Sequence, residues 1–94
     1  MNWWEVEING VGDAVRILRE ARKFLHDSAR SLARALSVHE VTIWRWERGK
    51  SLPRLTPSQG EFLINYVRSA QGKKRLSIEY RALKHARIRH VYQT

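Results

Sequence analysis

The sequence predicts an all-α fold, a compact domain of about five helices with a short strand or arm at its amino end. Three observations predict it. Apolar residues recur at three- and four-residue spacing from Ala14 to Leu83. Cap residues and breakers punctuate that pattern at short intervals. And 94 residues, 43% of them hydrophobic, suffice for one core without a cysteine to staple it.

Taken in order, Trp4, Val6 and Ile8 alternate with Glu5 and Glu7, the pattern of a half-buried strand or extended arm closed by Asn9, Gly10 and Gly12. The adjacent Trp3 and Trp4 cannot both face one side of such a strand, so one caps the core and the other lies outside. Asp13 is placed to cap a helix running to about His26, with Ala14, Val15, Ile17, Leu18, Ala21, Phe24 and Leu25 on its inner half. Arg22 falls inside that apolar arc and needs a carboxylate partner there. Ser28 caps a short helix to Leu36 with Leu32, Ala33 and Leu36 inward, and Ser37-Val38-His39 breaks it. A third helix spans Glu40 to Arg48, and Gly49 supplies its left-handed end. Thr56-Pro57-Ser58-Gln59 reads as a cap with proline at the first helical position. The fourth helix that follows carries Phe62, Leu63, Tyr66, Val67 and Ala70 as its stripe and ends at Gln71-Gly72. Ser77 caps a fifth, with Leu76, Tyr80 and Leu83 on one face, while Ile88 to Tyr92 fits helix or strand.

Charge narrows the function. The chain carries 18 Lys plus Arg against 9 Asp plus Glu, a net +9 and a pI near 10.9. Residues 1–12 hold only two acids, residues 13–54 hold ten bases against five acids, and residues 55–94 hold eight against two. The excess therefore belongs to the folded surface, which attracts polyanions, nucleic acid first and anionic lipid second. No apolar run is long enough for a membrane span, and Glu5 and Glu7 stand where a signal peptide would be basic, so a cytoplasmic location is expected.

Two short helices at 28–36 and 40–48 joined by a three-residue turn have the proportions of a helix-turn-helix. On a wheel of the second, Ile43 and Trp46 point one way while Val41, Trp44, Arg45 and Arg48 cluster on the other. An exposed valine and tryptophan between arginines is wasteful on a small protein unless that face meets something. A major groove fits. Arginine pairs with a guanine edge, apolar groups meet thymine methyls, and Glu40 can accept from a cytosine amino group or simply favour the helix dipole.

Leu18-Arg19-Glu20-Ala21-Arg22, Ser28 with Leu32-Ala33, Leu36-Ser37-Val38 and Thr42-Ile43-Trp44-Arg45-Trp46-Glu47-Arg48-Gly49-Lys50 keep a family pattern with its spacing. The sequence over residues 13 to 54 resembles the phage Cro and repressor type of helix-turn-helix, the XRE-like family. The resemblance implies a structural ion pair between Arg22 and Glu47. It implies His39, Glu40, Val41 and Arg45 near base edges, and Thr42 and Arg48 near the DNA backbone. Lys50 and Arg54 add phosphate contacts, and Ser28 is left with a phosphate contact because Ala29 replaces the family's usual glutamine. Ser37 stands at the usual turn glycine, and His26-Asp27 replace the usual small and apolar pair before the cap.

The expected organisation is an arm over 1–12, a helix-turn-helix DNA-binding domain over 13–71 and a basic helical extension or dimerisation element over 72–94. The expected function is a sequence-specific regulator of double-stranded DNA, a repressor that reads the major groove with helix 40–48. One short helix reads too few bases to find a site, so a homodimer is expected, through either the Trp4, Val6, Ile8 strand or the apolar faces after Phe62. The alternative is an antitoxin or accessory subunit whose DNA binding depends on a protein partner. RNA binding is weaker, since Trp44 alone offers a base to stack on. Catalysis is the least expected class, with no cofactor and no metal. His26, His39, His85 and His90 show no ligand spacing, and the contiguous His26-Asp27-Ser28 cannot assemble a triad.

Overall fold

A computed structural model describes the backbone of residues 2–92 and the side chains of residues 2–84. The described residues form five α-helices after one 3-10 turn at Trp3–Glu5, and no strand: α1 Val11–Arg16, α2 Leu18–Phe24, α3 Ala29–Leu36, α4 Glu40–Glu47 and α5 Pro57–Tyr92. The all-helical class expected from the sequence is the class found.

The core is made by the inner faces of these helices. Ala14, Ile17, Leu18 and Ala21 meet Leu32, Ala33 and Leu36 of α3, Ile43 and Trp46 of α4, and Leu63, Val67 and Ala70 of α5, all buried. Ser28 caps α3 by accepting from the Ser31 backbone N–H at 3.0 Å. Thr56 and Gln59 form a reciprocal capping box at the start of α5: the Thr56 N–H donates to Gln59 Oε1 at 2.9 Å, and the Gln59 N–H donates to Thr56 Oγ1 at 3.2 Å. Gln59 Nε2 also donates to the Leu36 carbonyl at 2.6 Å, so the end of α3 and the start of α5 are pinned together.

Helices α2, α3 and α4 terminate alike, each with a left-handed residue followed by a 6→1 hydrogen bond. These residues are His26 (φ 54°), Ser37 (φ 57°) and Gly49 (φ 68°). The closing bonds run from Asp27 N–H to Arg22 O, Val38 N–H to Ala33 O and Lys50 N–H to Arg45 O, at 2.9 to 3.0 Å. Only the last uses glycine. Ser37 therefore bears a steric penalty in the turn between α3 and α4, and Ser37→Gly is expected to stabilise the protein by about 0.5–1 kcal/mol, read as a raised urea midpoint at constant slope.

Four expectations are corrected. Asp13 is not the cap: the helix starts at Val11, and the Asp13 carboxylate reaches back to accept the Asn9 N–H at 2.9 Å. The single helix from Asp13 to His26 is two, broken at Ile17 (φ −111°, ψ 9°), which lets the neighbours Ile17 and Leu18 both enter the core. The alternating segment at Trp4 to Ile8 pairs with no strand. Its carbonyls go instead to side chains of α5: Gln71 Nε2 donates to Trp3 O at 3.0 Å and Val6 O at 2.8 Å, and Arg68 Nη2 donates to Ile8 O at 2.7 Å. Ile8 is in the core, Trp3 packs on Phe24 with ring centroids 5.7 Å apart, and Trp4 stands edge-on to Trp3 beneath the Lys74 ammonium. For the same reason Gln71-Gly72 does not end a helix. With Gln71 buried and its amide N–H groups bonded to the arm, one internal glycine costs only about 1 kcal/mol and the helix continues through Ser77 to Tyr92.

One uninterrupted helix of 36 residues on a small body gives extents of 58 × 24 × 22 Å. Ile88 to Tyr92, open between helix and strand in the sequence, are helical. The side chains of Ala86, His85 and His90 lie outside the described residues. No helix among those described is long and apolar enough to cross a membrane.

Candidate nucleic-acid interface

Helix α4 is held by its inner face. Ile43 is fully buried and Trp46 is 4% exposed, which turns Val41 (52% exposed) and Trp44 (43%) outward beside the exposed Arg45 and Arg48. The outer surface thus carries both apolar and cationic groups on one short helix. His39 occupies the cap position of α4 in extended conformation, with no side-chain bond to the helix, and is exposed. Glu40 and Thr42 are half-buried in the first turn. Lys50 and Arg54 are exposed on the loop that follows, and Ser28 is exposed at the start of α3, its hydroxyl already engaged as the cap.

Arg22 and Glu47 are brought together as a two-point contact. Arg22 Nε donates to Glu47 Oε2 at 2.8 Å and Nη2 to Oε1 at 2.9 Å, with side chains only 14% and 5% exposed. Nη1 donates to the Asp27 carbonyl at 3.1 Å, which also fixes the chain between α2 and α3. The hydrogen bonds to Glu47 push the Arg22 pKa up, against the opposing pull of burial, so the guanidinium stays charged. Tyr66 of α5 closes the network, its hydroxyl donating to Asp27 Oδ2 at 2.8 Å. One connected set of bonds thereby orients α4 against α2 and α5.

Burial first, then the bond to Asp27, raises the Tyr66 pKa well above its ordinary 10. The sign follows: a folded-state pKa above the unfolded one favours folding below pH 10, and that advantage is lost as pH rises from there toward the folded value. Tyr66→Phe is therefore expected to be less stable than the parent at neutral pH by about 1 kcal/mol. Melting curves of the two proteins should converge as pH rises above 10.

Between α2 and α4 lies a cleft of about 220 Å³ lined by Arg19, Arg22, Lys23, Trp44, Glu47 and Arg48. Arg19 and Lys23 were not singled out from the sequence, where they fall on the solvent half of the helix. The available signal was their i, i+4 spacing next to an arginine tied to α4. Arg22–Glu47 is the one ion pair among the described residues, so Arg19, Lys23, Arg45, Arg48, Lys50 and Arg54 make no direct pair with a carboxylate there.

No protein-family model, characterised protein or solved structure matches this chain. The candidate surface is therefore read from its own geometry and charge.

Proposed function

We propose that this protein is a sequence-specific double-stranded DNA-binding regulator of the Cro and repressor helix-turn-helix type, which sets α4 into the major groove and represses transcription by occupying a promoter. The observation that carries the proposal is the outer face of α4: Val41, Trp44, Arg45 and Arg48 exposed together on a helix whose opposite side is locked by Ile43, Trp46 and the Glu47 bond. An α-helix of this width enters a major groove, and its residues match the groove's chemistry. Arg45 pairs with a guanine edge, Val41 and Trp44 meet thymine methyls or sugar, and Glu40 accepts from a cytosine amino group.

Thr42, Arg48, Lys50 and Arg54 hold phosphates on the flanks, Ser28 approaches one at the start of α3, and His39 stands with Glu40 near the base edges. Arg19 and Lys23 extend this phosphate track onto α2. Replacing both by Ala is expected to weaken binding to specific and random DNA alike and to lower the salt slope by about two units, measured by titration over a range of salt. This function carries with it a cytoplasmic location and a homodimer on a two-fold operator.

The testing experiment is selection on a randomised duplex library at about 150 mM salt with competitor DNA, because nonspecific phosphate attraction falls steeply as salt rises. The expected result is an enriched inverted repeat with half-site centres about one helical turn apart. An unenriched pool would overturn sequence reading by the protein alone. It would favour the second reading, an antitoxin or accessory subunit, which the exposed Leu76, Tyr80 and Leu83 of α5 would serve as a partner surface.

A further inference from the structure

Helix α5 has two faces. Leu63, Val67, Ala70 and Gln71 point into the body and are buried. At 100° per residue, Leu76, Tyr80 and Leu83 lie almost diametrically opposite. They are 66%, 68% and 67% exposed, a run of large apolar side chains beyond the last turn that touches the body with a buried residue. Their spacing of four and then three is that of a coiled-coil seam, with Leu76 and Leu83 at d and Tyr80 at a. Continued backward, the same spacing meets Lys73, Ser69, Tyr66 and Phe62, of which Phe62 is 42% exposed and stacks on Tyr66 at 6.3 Å.

We infer that this stripe pairs with the same stripe of a second copy of the chain, as a parallel, in-register, two-stranded helix pair. The inference deepens the DNA-reading proposal and rests on it only for its purpose. Charge selects the occupant and the direction. In this register Glu79 is at g and Lys84 at e, five residues on, which is the spacing that joins g of one strand to e of its parallel mate. Two Glu79–Lys84 pairs then flank the Tyr80 layer. An antiparallel pair centred on Tyr80 would instead set Glu79 near Glu79 and carry Lys84 away from it toward the mate's Lys74, so it makes no such pair.

The alternative dimer element, the amino-terminal arm, is already taken: Ile8 is in the core and the Trp3, Val6 and Ile8 carbonyls are bonded to α5. Because Leu76, Tyr80 and Leu83 point away from the buried side of α5, a parallel pair over those turns carries the two bodies outboard at one end, on either side of the two-fold axis. A two-fold pair of bodies is what a two-fold DNA site requires. Lys73 before the stripe and Arg87 after it in the sequence keep it to three apolar layers, so the association is weak.

The test uses the full chain without DNA. Sedimentation equilibrium over micromolar concentrations is expected to show monomer and dimer in exchange, with Leu83→Glu weakening association at least about tenfold while the circular dichroism melt of the body is retained. E79K and K84E should each weaken the dimer, and the double variant E79K/K84E should restore it. The chain has no cysteine, so Leu83→Cys gives one thiol, expected to form a disulfide-linked dimer under mild oxidation where Arg81→Cys, on the outer side, does not. A monomer at every concentration with no cross-link at Leu83→Cys overturns the inference. So does a dimer indifferent to Leu83→Glu, and single charge variants without effect overturn the parallel register. None of these readouts involves DNA, so failure here and failure of the DNA-reading proposal are separately visible.

Discussion

Glu47→Ala is expected to destabilise the protein by about 3 kcal/mol, because it strands the Arg22 guanidinium at a site where only 14% of the side chain meets solvent. Two charge-assisted bonds are lost at once, and the third, to the Asp27 carbonyl, cannot neutralise the charge. For a domain of this size that is a fall of more than about 10 °C in melting temperature. A double variant, Arg22→Met with Glu47→Leu, removes both charges and should recover most of the loss, since the net value of a buried pair over apolar groups of similar volume is small. A Glu47→Ala protein that melts with the parent would remove the pair from the forces holding α4 in place.

Arg45→Ala is expected to reduce affinity for the selected operator by about 1–3 kcal/mol, some five- to 150-fold, with little change on random duplex. The side chain is exposed and has no protein partner among the described residues, so the substitution leaves folding intact and isolates its role in recognition. Lys50→Ala provides the contrast. Lying past the end of α4, it should weaken both DNAs by a similar factor and lower the salt slope by about one unit. Equal losses on both DNAs for Arg45→Ala would make it a phosphate contact and shift the reading to Glu40 and Val41.

Much of this was legible because helical spacing alone sorts α3 and α4. Leu32, Ala33, Leu36, Ile43 and Trp46 had to be inside, which left Val41, Trp44, Arg45 and Arg48 outside. Arg22 announced itself as a charge in an apolar arc, and Glu47 is where its geometry is satisfied. What was not legible depended on long-range bonds. The Trp4 to Ile8 alternation is a strand pattern, but what decides it is Gln71, 65 and 68 residues away, whose amide takes the arm's carbonyls. The same residue hides the continuity of α5, because Gln-Gly looks like an ending when nothing is known to hold the glutamine. Phe62 falls on the apolar stripe by spacing yet is exposed, since Leu63, Val67 and Ala70 fill the buried face of α5. Arg19 and Lys23 are not legible as site residues because a solvent face looks alike whether or not a second helix walls off a cleft beside it.

Helix α5 is clamped to the body from Gln59, bonded to the Leu36 carbonyl, to Gln71, bonded to the amino-terminal arm, and acts as a lever only beyond that clamp. From Gln71 to the last described residue the helix runs about 30 Å, so one degree of tilt at the clamp sweeps the far end by about 0.5 Å. Gearing works in both directions. Anything that grips the distal turns of α5 acts at a long radius, and a displacement there is stepped down to a fine rotation of the clamped turns and of the arm, the turn after α2 and the end of α3 bonded to them.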